Sequence, residues 1–312
     1  MTGDAVRLAA APKRGFLDAR TVGILTFVTA LVFGSMHSGL SKWLSQDISL
    51  PLIIWWRYLG LFLIVVPWAL LRYGRAAVVP ARPWLHVLRG GLIIVSSFSF
   101  LGAVSGMPLA DTMALVFVYP FIVTALAPVL LGERVGISIW IAVLTGFLGV
   151  LVVVRPGFAE IDGYALLALL TGGTFALVLL VTRKLAVASP PTVTATWTAT
   201  LGLVIVGLSL PFIWVTPSLA QMTVLSIMSV FAAASQLLTM HAFSKADAPV
   251  LAPFGYSEIV TATAVGLVLF GDFPGPVTWI GILVIVASGI YIAIAGRPIR
   301  LPLLSRSRTP GA

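Results

Sequence analysis

The sequence predicts an all-α integral membrane protein of about ten transmembrane helices, arranged as two five-helix repeats of opposite orientation. Three observations predict it. The 312 residues are 59% hydrophobic and only 9% charged. A soluble domain carries about 25% charged residues, so lipid must cover much of this surface. Apolar runs recur at about twenty residues, the length an α-helix needs to cross hydrocarbon. The second half also repeats the first. Leu130 to Ala142 (L-L-G-E-R-V-G-I-S-I-W-I-A) aligns with Leu269 to Gly281 (L-F-G-D-F-P-G-P-V-T-W-I-G), so that Gly132 falls on Gly271, Glu133 on Asp272 and Trp140 on Trp279, a constant step of 139.

The spans follow in order at 21–41, 50–71, 84–105, 108–131, 136–154, 163–182, 192–215, 221–243, 248–270 and 277–296. Short polar or Pro/Gly junctions separate them. Arg72 to Arg75 (R-Y-G-R) closes the second, Gly132 to Arg134 (G-E-R) the fourth and Gly271 to Pro274 (G-D-F-P) the ninth. The tightest junction, Ser105 to Pro108 (S-G-M-P), divides the third from the fourth. Lysine and arginine test the count. With a cytoplasmic N-terminus, sixteen of the nineteen fall in inner segments, Arg89 and Arg134 among them; Lys42 and Arg155 fall outside and Arg57 lies within a span. A miscounted span would scramble that alternation, so the positive-inside rule supports the count and two cytoplasmic termini. Trp43, Trp68, Trp84, Trp140, Trp214 and Trp279 fall near span ends, where interfacial tryptophans belong. The chain divides into a basic leader (1–20), a first repeat (21–156), a second repeat (162–297) and a basic tail (298–312), with leader and tail cytoplasmic. Five spans per repeat is odd, so the second repeat enters the membrane upside down.

Composition also excludes. There is no cysteine, hence no disulfide, thiolate metal site or thiol nucleophile. His37, His86 and His241 lie on different spans without ligand spacing, so no metal is expected. The net charge of +9 sits in loops between apolar runs and reads as membrane topology rather than nucleic-acid binding. No G-x-x-x-x-G-K-[ST] run is present, so a gradient or exchange would supply the energy for transport. No cleavable signal peptide is seen; the apolar run from Thr21 is long enough to remain in the membrane. Duplicated membrane helices mark secondary transporters, whose solute site lies between the repeats.

Several motifs resemble one known family. In the first half they are Met107 to Thr112 (M-P-L-A-D-T), Tyr119-Pro120, Leu130 to Arg134 (L-L-G-E-R) and Trp140. In the second half they are Ala246 to Pro249 (A-D-A-P), Ser257-Glu258, Leu269 to Asp272 (L-F-G-D) and Trp279 to Gly281 (W-I-G). Together with Phe33 to Ser35 (F-G-S) and Arg57, they resemble the drug/metabolite transporter superfamily, in its ten-helix branch with two EamA-type repeats. Asp272-Phe273 replaces Glu-Arg at the second corner, and Ile259 follows Glu258 where the family often has proline. The resemblance implies helices one to four and six to nine around a central cavity, with five and ten peripheral. Ala110 to Ala114 (A-D-T-M-A), with Phe117, Tyr119 and Phe121, is most similar to the group of bacterial riboflavin and S-adenosylmethionine uptake transporters.

Candidate site residues come from depth and chemistry. Arg57 and Glu258 are mid-span charges, one per repeat. Such a charge costs about 2.5–3.5 kcal/mol at bilayer centre, so it should face a cavity or a partner. The two pair with each other or bind solute, and Glu258 is a candidate proton carrier. Tyr119, Tyr256, Phe117 and Phe98 lie at middle depth, where aromatic rings sandwich a planar ligand or pack helices. Ser96 and Ser99 share one helical face with Phe100, as Ser235, Gln236 and Thr239 do on span eight. Gln236 is the strongest binding candidate of these, because its amide wants several partners; interhelical hydrogen bonding is the plainer use. Glu133 and Arg134 read as a structural corner.

The expected function is movement of a small organic metabolite across the bacterial inner membrane by alternating access, with riboflavin uptake as the first reading. Arg57 and Glu258 together leave mid-depth charge near zero, which suits a neutral solute. Export of amino acids or drugs, or S-adenosylmethionine carriage, are the alternatives. A membrane enzyme would need clustered carboxylates and a channel a ring of carbonyls or charges, and the ten acids are scattered. No catalytic residue, cofactor or nucleic-acid partner is expected. The partners are the solute, the lipid bilayer and a second copy through the peripheral helices, where Ala142/Gly146 and Gly289/Ala293 are small-xxx-small pairs.

Overall fold

Apolar sequence with few strand-favouring turns leaves the backbone one way to satisfy its polar groups in lipid, which is the helix. The computed structural model describes residues 18–131, 136–154, 163–186, 188–246 and 248–295, and every regular element among them is helical. The helices are α1 (Ala19–Leu44), α2 (Leu50–Tyr73), α3 (Arg75–Val78), α4 (Pro83–Gly106), α5 (Leu109–Val116), α6 (Tyr119–Leu131) and α7 (Ile137–Val154). They continue as α8 (Gly163–Ala186), α9 (Pro191–Gly207), α10 (Leu210–Ile213), α11 (Leu219–Lys245), α12 (Ala248–Gly255), α13 (Ser257–Phe270) and α14 (Pro276–Ala295). Six stretches are long and apolar enough to cross a membrane: α1, α2, α4, the α5–α6 pair over Leu109–Leu130, α8 and α11. The apolar helices Ile137–Val153, Pro191–Gly207, Ser257–Phe270 and Pro276–Ile292 are shorter.

Helix ends follow local chemistry. Asp18 caps α1 by accepting from the backbone N–H groups of Arg20 and Thr21. Ser218 and Gln221 form a reciprocal capping box at α11, at 2.8 and 3.2 Å. Proline opens α2, α4 and α9, where its missing N–H costs nothing. Gly271 ends α13 in the left-handed region at φ 70°, which only glycine adopts freely. Thr112, Thr124, Thr171 and Thr198 donate to the carbonyl four residues back, satisfying their hydroxyls within their own helices.

Two spans expected as single helices are broken. α5 gives way to α6 at Phe117 and Val118, and α12 gives way to α13 at Tyr256. Pro120 explains the first break: its ring would collide with the carbonyl of Val116, so the helix interrupts before it. Gly172 lets α8 lie against that interruption; a Cβ there would sit 2.7 Å from the Val116 carbonyl oxygen. The expected seventh span also stops short, α9 ending at Gly207 and α10 adding one turn. The corner Gly132 to Arg134 and Arg155 lie outside the described residues.

Packing follows a paired scheme. α1 lies against α11, α12 and α13, while α8 lies against α4, α5 and α6. α2 packs on α9 and α11, α9 packs on α4, and α7 packs on α14. Among the described residues two large apolar cores and two smaller ones result. Of the large cores, one centres on Tyr58, Leu101, Leu109 and Met228, the other on Phe117, Phe121, Tyr256 and Ile285. At one end of the bundle Lys42 Nζ makes an ion pair with Asp272 at 2.8 Å and donates to the Met107 carbonyl at 3.1 Å. It also lies 4.6 Å from the centre of the Phe270 ring.

Candidate functional site

The two helix breaks meet. Phe117 at the first and Tyr256 at the second have ring centres 5.0 Å apart, tilted by 31°. These positions differ by 139, the same step that separates the similar stretches Leu130 to Ala142 and Leu269 to Gly281. Tyr119 lies 5.5 Å from Phe117 and stands edge-on to Phe175 of α8 at 5.1 Å. Four aromatic rings therefore gather where both backbones depart from helix. Offset and edge-on rings at these spacings attract one another beyond simple burial.

A carboxylate adjoins them. Glu258 stands in the first turn of α13, two residues beyond Tyr256, where free backbone N–H groups favour negative charge. It is an electrostatic neighbour of Tyr119, and 119 and 258 also differ by 139. Glycine at 34 makes space for it: a Cβ on Gly34 would lie 3.8 Å from Glu258 Oε1 and 3.2 Å from Ser235 Oγ. Beside this node, Ser35 and Thr261 share a hydrogen bond at 2.6 Å between α1 and α13. Gly34 of α1 and Ser235 of α11 thus lie beside Glu258 of α13. The arrangement gathers buried aromatic rings, phenolic groups and a carboxyl group, a set whose chemistry suits an aromatic solute with polar substituents.

Known proteins decide the class. Residues 21–155 match the EamA-like transporter family. The chain is 28% identical over 288 residues to a riboflavin transporter of Rhizobium johnstonii, covering 91% of this chain and 93% of that one. An S-adenosylmethionine uptake transporter of Rickettsia bellii is 24% identical, covering 88% and 94%. The chain is thus similar to EamA-type transporters, with the family match over residues 21–155. A pseudopaline exporter of Pseudomonas aeruginosa is also similar, 24% identical over 89% of this chain and 96% of that one. A protein of known crystal structure shares the fold, with a TM-score of 0.61 at 16% identity over 88% of this chain and 96% of that one.

The transporter distributes its sequence-predicted residues unevenly. Phe117, Tyr119, Tyr256 and Glu258 come together. Arg57 and Glu258 do not pair; among the described residues the ion pair is Lys42–Asp272. Arg57 instead lies 5.2 Å from the ring of its neighbour Tyr58 and is an electrostatic neighbour of His37. Phe98 packs against the Tyr58 core, away from the four rings. Gln236 is exposed on α11, although the adjacent Ser235 faces Gly34. His37 Nδ1 lies 3.4 Å from the Met228 carbonyl.

Sequence reading missed two parts of this transporter. Phe175 completes the ring cluster, yet nothing in its flanking apolar run distinguishes it. Arg89, grouped with the inner segments, lies within α4 and reaches two other helices. The four-residue spacing of Thr194 and Thr198, which share one face of α9, was the available signal that a polar stripe awaited it.

Proposed function

We propose that this EamA-type transporter imports riboflavin by alternating access between two inverted repeats, with the solute held at Phe117, Tyr119, Tyr256 and Glu258. The contact of Phe117 with its repeat equivalent Tyr256 carries the reading. A pair related by the duplication, at two helix breaks, marks the place where the halves move against each other. Discontinuous helices at a repeat interface are where transporters build solute sites.

The packing supports inversion. The contact of α1 with α11 has its counterpart in α8 with α4, as expected if spans one and six are equivalent. Contacts of α1 with the broken α12–α13 span match those of α8 with the broken α5–α6 span. On this reading the transporter has ten spans, repeats at 21–156 and 162–297, and both termini in the cytoplasm. Arg57 and Phe98 line the outer approach to the rings, and Gln236 the inner one. A homodimer uses the outer faces of α7 and α14, where Ile141, Leu144, Leu148, Ile280 and Leu283 are exposed. The small residues Gly146 and Gly289 are occupied within the chain, by the Phe121 ring and the Tyr256 hydroxyl.

Riboflavin fits the chemistry of the cluster: a flat ring system to stack and hydroxyls for Ser235 and Tyr119. S-adenosylmethionine is the second reading, favoured by the carboxylate placed beside the rings. Uptake of labelled compounds by riboflavin-auxotrophic cells expressing this chain separates them. Saturable riboflavin accumulation, unaffected by excess S-adenosylmethionine or amino acids, is the expected result. Accumulation of S-adenosylmethionine alone would transfer the site to the second reading, and efflux of amino acids would make the transporter an exporter.

A further inference from the structure

Arg89 is a membrane-embedded cation for which solute passage at the rings has no use. It lies about two turns inside the first residue of α4. Its Nε donates to Thr182 Oγ1 of α8 at 2.7 Å, and one terminal nitrogen donates to Thr198 Oγ1 of α9. Both hydroxyls spend their own protons on carbonyls, Thr182 on Val178 at 2.6 Å and Thr198 on Thr194 at 2.9 Å. They can only accept from Arg89. A guanidinium has five donors, so most of them remain for a ligand. Among the described residues no carboxylate forms an ion pair with it.

A second group lies beside it. His86 lies one turn earlier on α4 and is an electrostatic neighbour of Arg89. Its ring is 1% exposed and stacks beside Trp197 at 5.8 Å. Nε2 meets Ser189 Oγ at 3.2 Å, but Nδ1 is buried with no hydrogen-bond partner. Arg89 is half-buried with donors to spare, and an unpartnered imidazole nitrogen buried beside it is costly. An anion held by both removes that cost and uses the spare donors. Phosphate matches the donors best, since arginine forks engage two phosphate oxygens at once.

We propose that Arg89, Thr182, Thr198 and His86 form a phosphate-binding site between α4, α8 and α9, distinct from the ring cluster. On the proposed topology it opens toward the cytoplasm. The phosphate belongs either to a soluble phosphomonoester, such as the phosphorylated form of an imported alcohol, or to an anionic lipid headgroup. Basic pockets between membrane helices on the cytoplasmic side suit either.

Thermal unfolding of the purified full-length chain in detergent tests this without any transport step. Inorganic phosphate, riboflavin 5′-phosphate and phosphatidylglycerol are added separately, against chloride at equal ionic strength. At least one should raise the unfolding midpoint by about 3 °C or more at saturation. A response to the soluble phosphates marks a solute site, and a response to phosphatidylglycerol alone marks a lipid site. Arg89→Gln should raise the half-saturating concentration at least about tenfold, the loss of one charge-assisted contact. Arg89→Lys keeps a cation but not the fork, and should weaken binding by a smaller factor if the glutamine variant fails to fold. The site is overturned if no phosphate compound stabilises the wild type beyond chloride. It is equally overturned if the folded Arg89 variants respond as the wild type does.

Discussion

Glu258→Gln is expected to lower solute uptake at least about tenfold, the scale of one lost charge-assisted contact, while leaving the amount of protein in the membrane unchanged. The amide keeps the size of the side chain and one acceptor oxygen. It loses the negative charge that the first turn of α13 favours, and it cannot carry a proton. Glutamine has nearly the same volume as glutamate, so the substitution disturbs little packing. If Glu258 carries the coupling proton, wild-type uptake varies with external pH and uptake by the glutamine variant does not. Labelled-solute uptake at several pH values, normalised to membrane protein, checks both statements. Uptake unchanged in rate and pH profile would reduce Glu258 to a packing residue.

Lys42→Met should destabilise the bundle by about 1.5–3 kcal/mol, the usual worth of a hydrogen bond to a charged partner. Lys42 is only 9% exposed and ties three places together. They are the end of α1, the Met107 carbonyl between α4 and α5, and Asp272 just beyond α13. Removing it takes the partner from a carboxylate that is a third exposed and leaves the Met107 carbonyl without this donor. Asp272→Asn keeps a hydrogen-bond acceptor and should cost less. Thermal unfolding in detergent measures both. Equal losses in the two variants would show that the charge of Asp272 carries the contact, and no loss in either would make the pair incidental.

The helical bundle was legible because lipid imposes long apolar helices. Depth picked out three of the rings that meet, and also Phe98, which packs elsewhere. Phe117, Tyr119 and Tyr256 each sit mid-span, and the duplication step links 117 to 256 and 119 to 258. The breaks were not read as breaks. Pro120 lies in a run of apolar residues, and its effect on the carbonyl of Val116 depends on whether α8 offers a glycine there. Gly172 does, but that contact spans fifty-odd residues of sequence and has no periodic signature. Arg57 and Glu258 looked like a pair because both are mid-depth charges; hydropathy gives depth but not which helix faces which. Arg89 was hidden for the opposite reason. It lies near enough to a span end to satisfy the positive-inside count, and only the packing of α4 on α8 and α9 shows that it is held inside. Gln236 shows the limit of reasoning by hydrogen-bond capacity, since on α11 its exposure is a matter of helix rotation.

Sided labelling of cysteines placed at the two breaks tests the account most directly. The chain has no cysteine of its own, so Phe117→Cys and Tyr256→Cys give single reporters. A membrane-impermeant thiol reagent is applied to right-side-out and to inside-out vesicles, with and without riboflavin. If the solute crosses between the repeats at these rings, each cysteine reacts from both sides and riboflavin slows both reactions. Cysteines that react from neither side, or at a rate that no solute changes, would place the passage elsewhere and contradict the account.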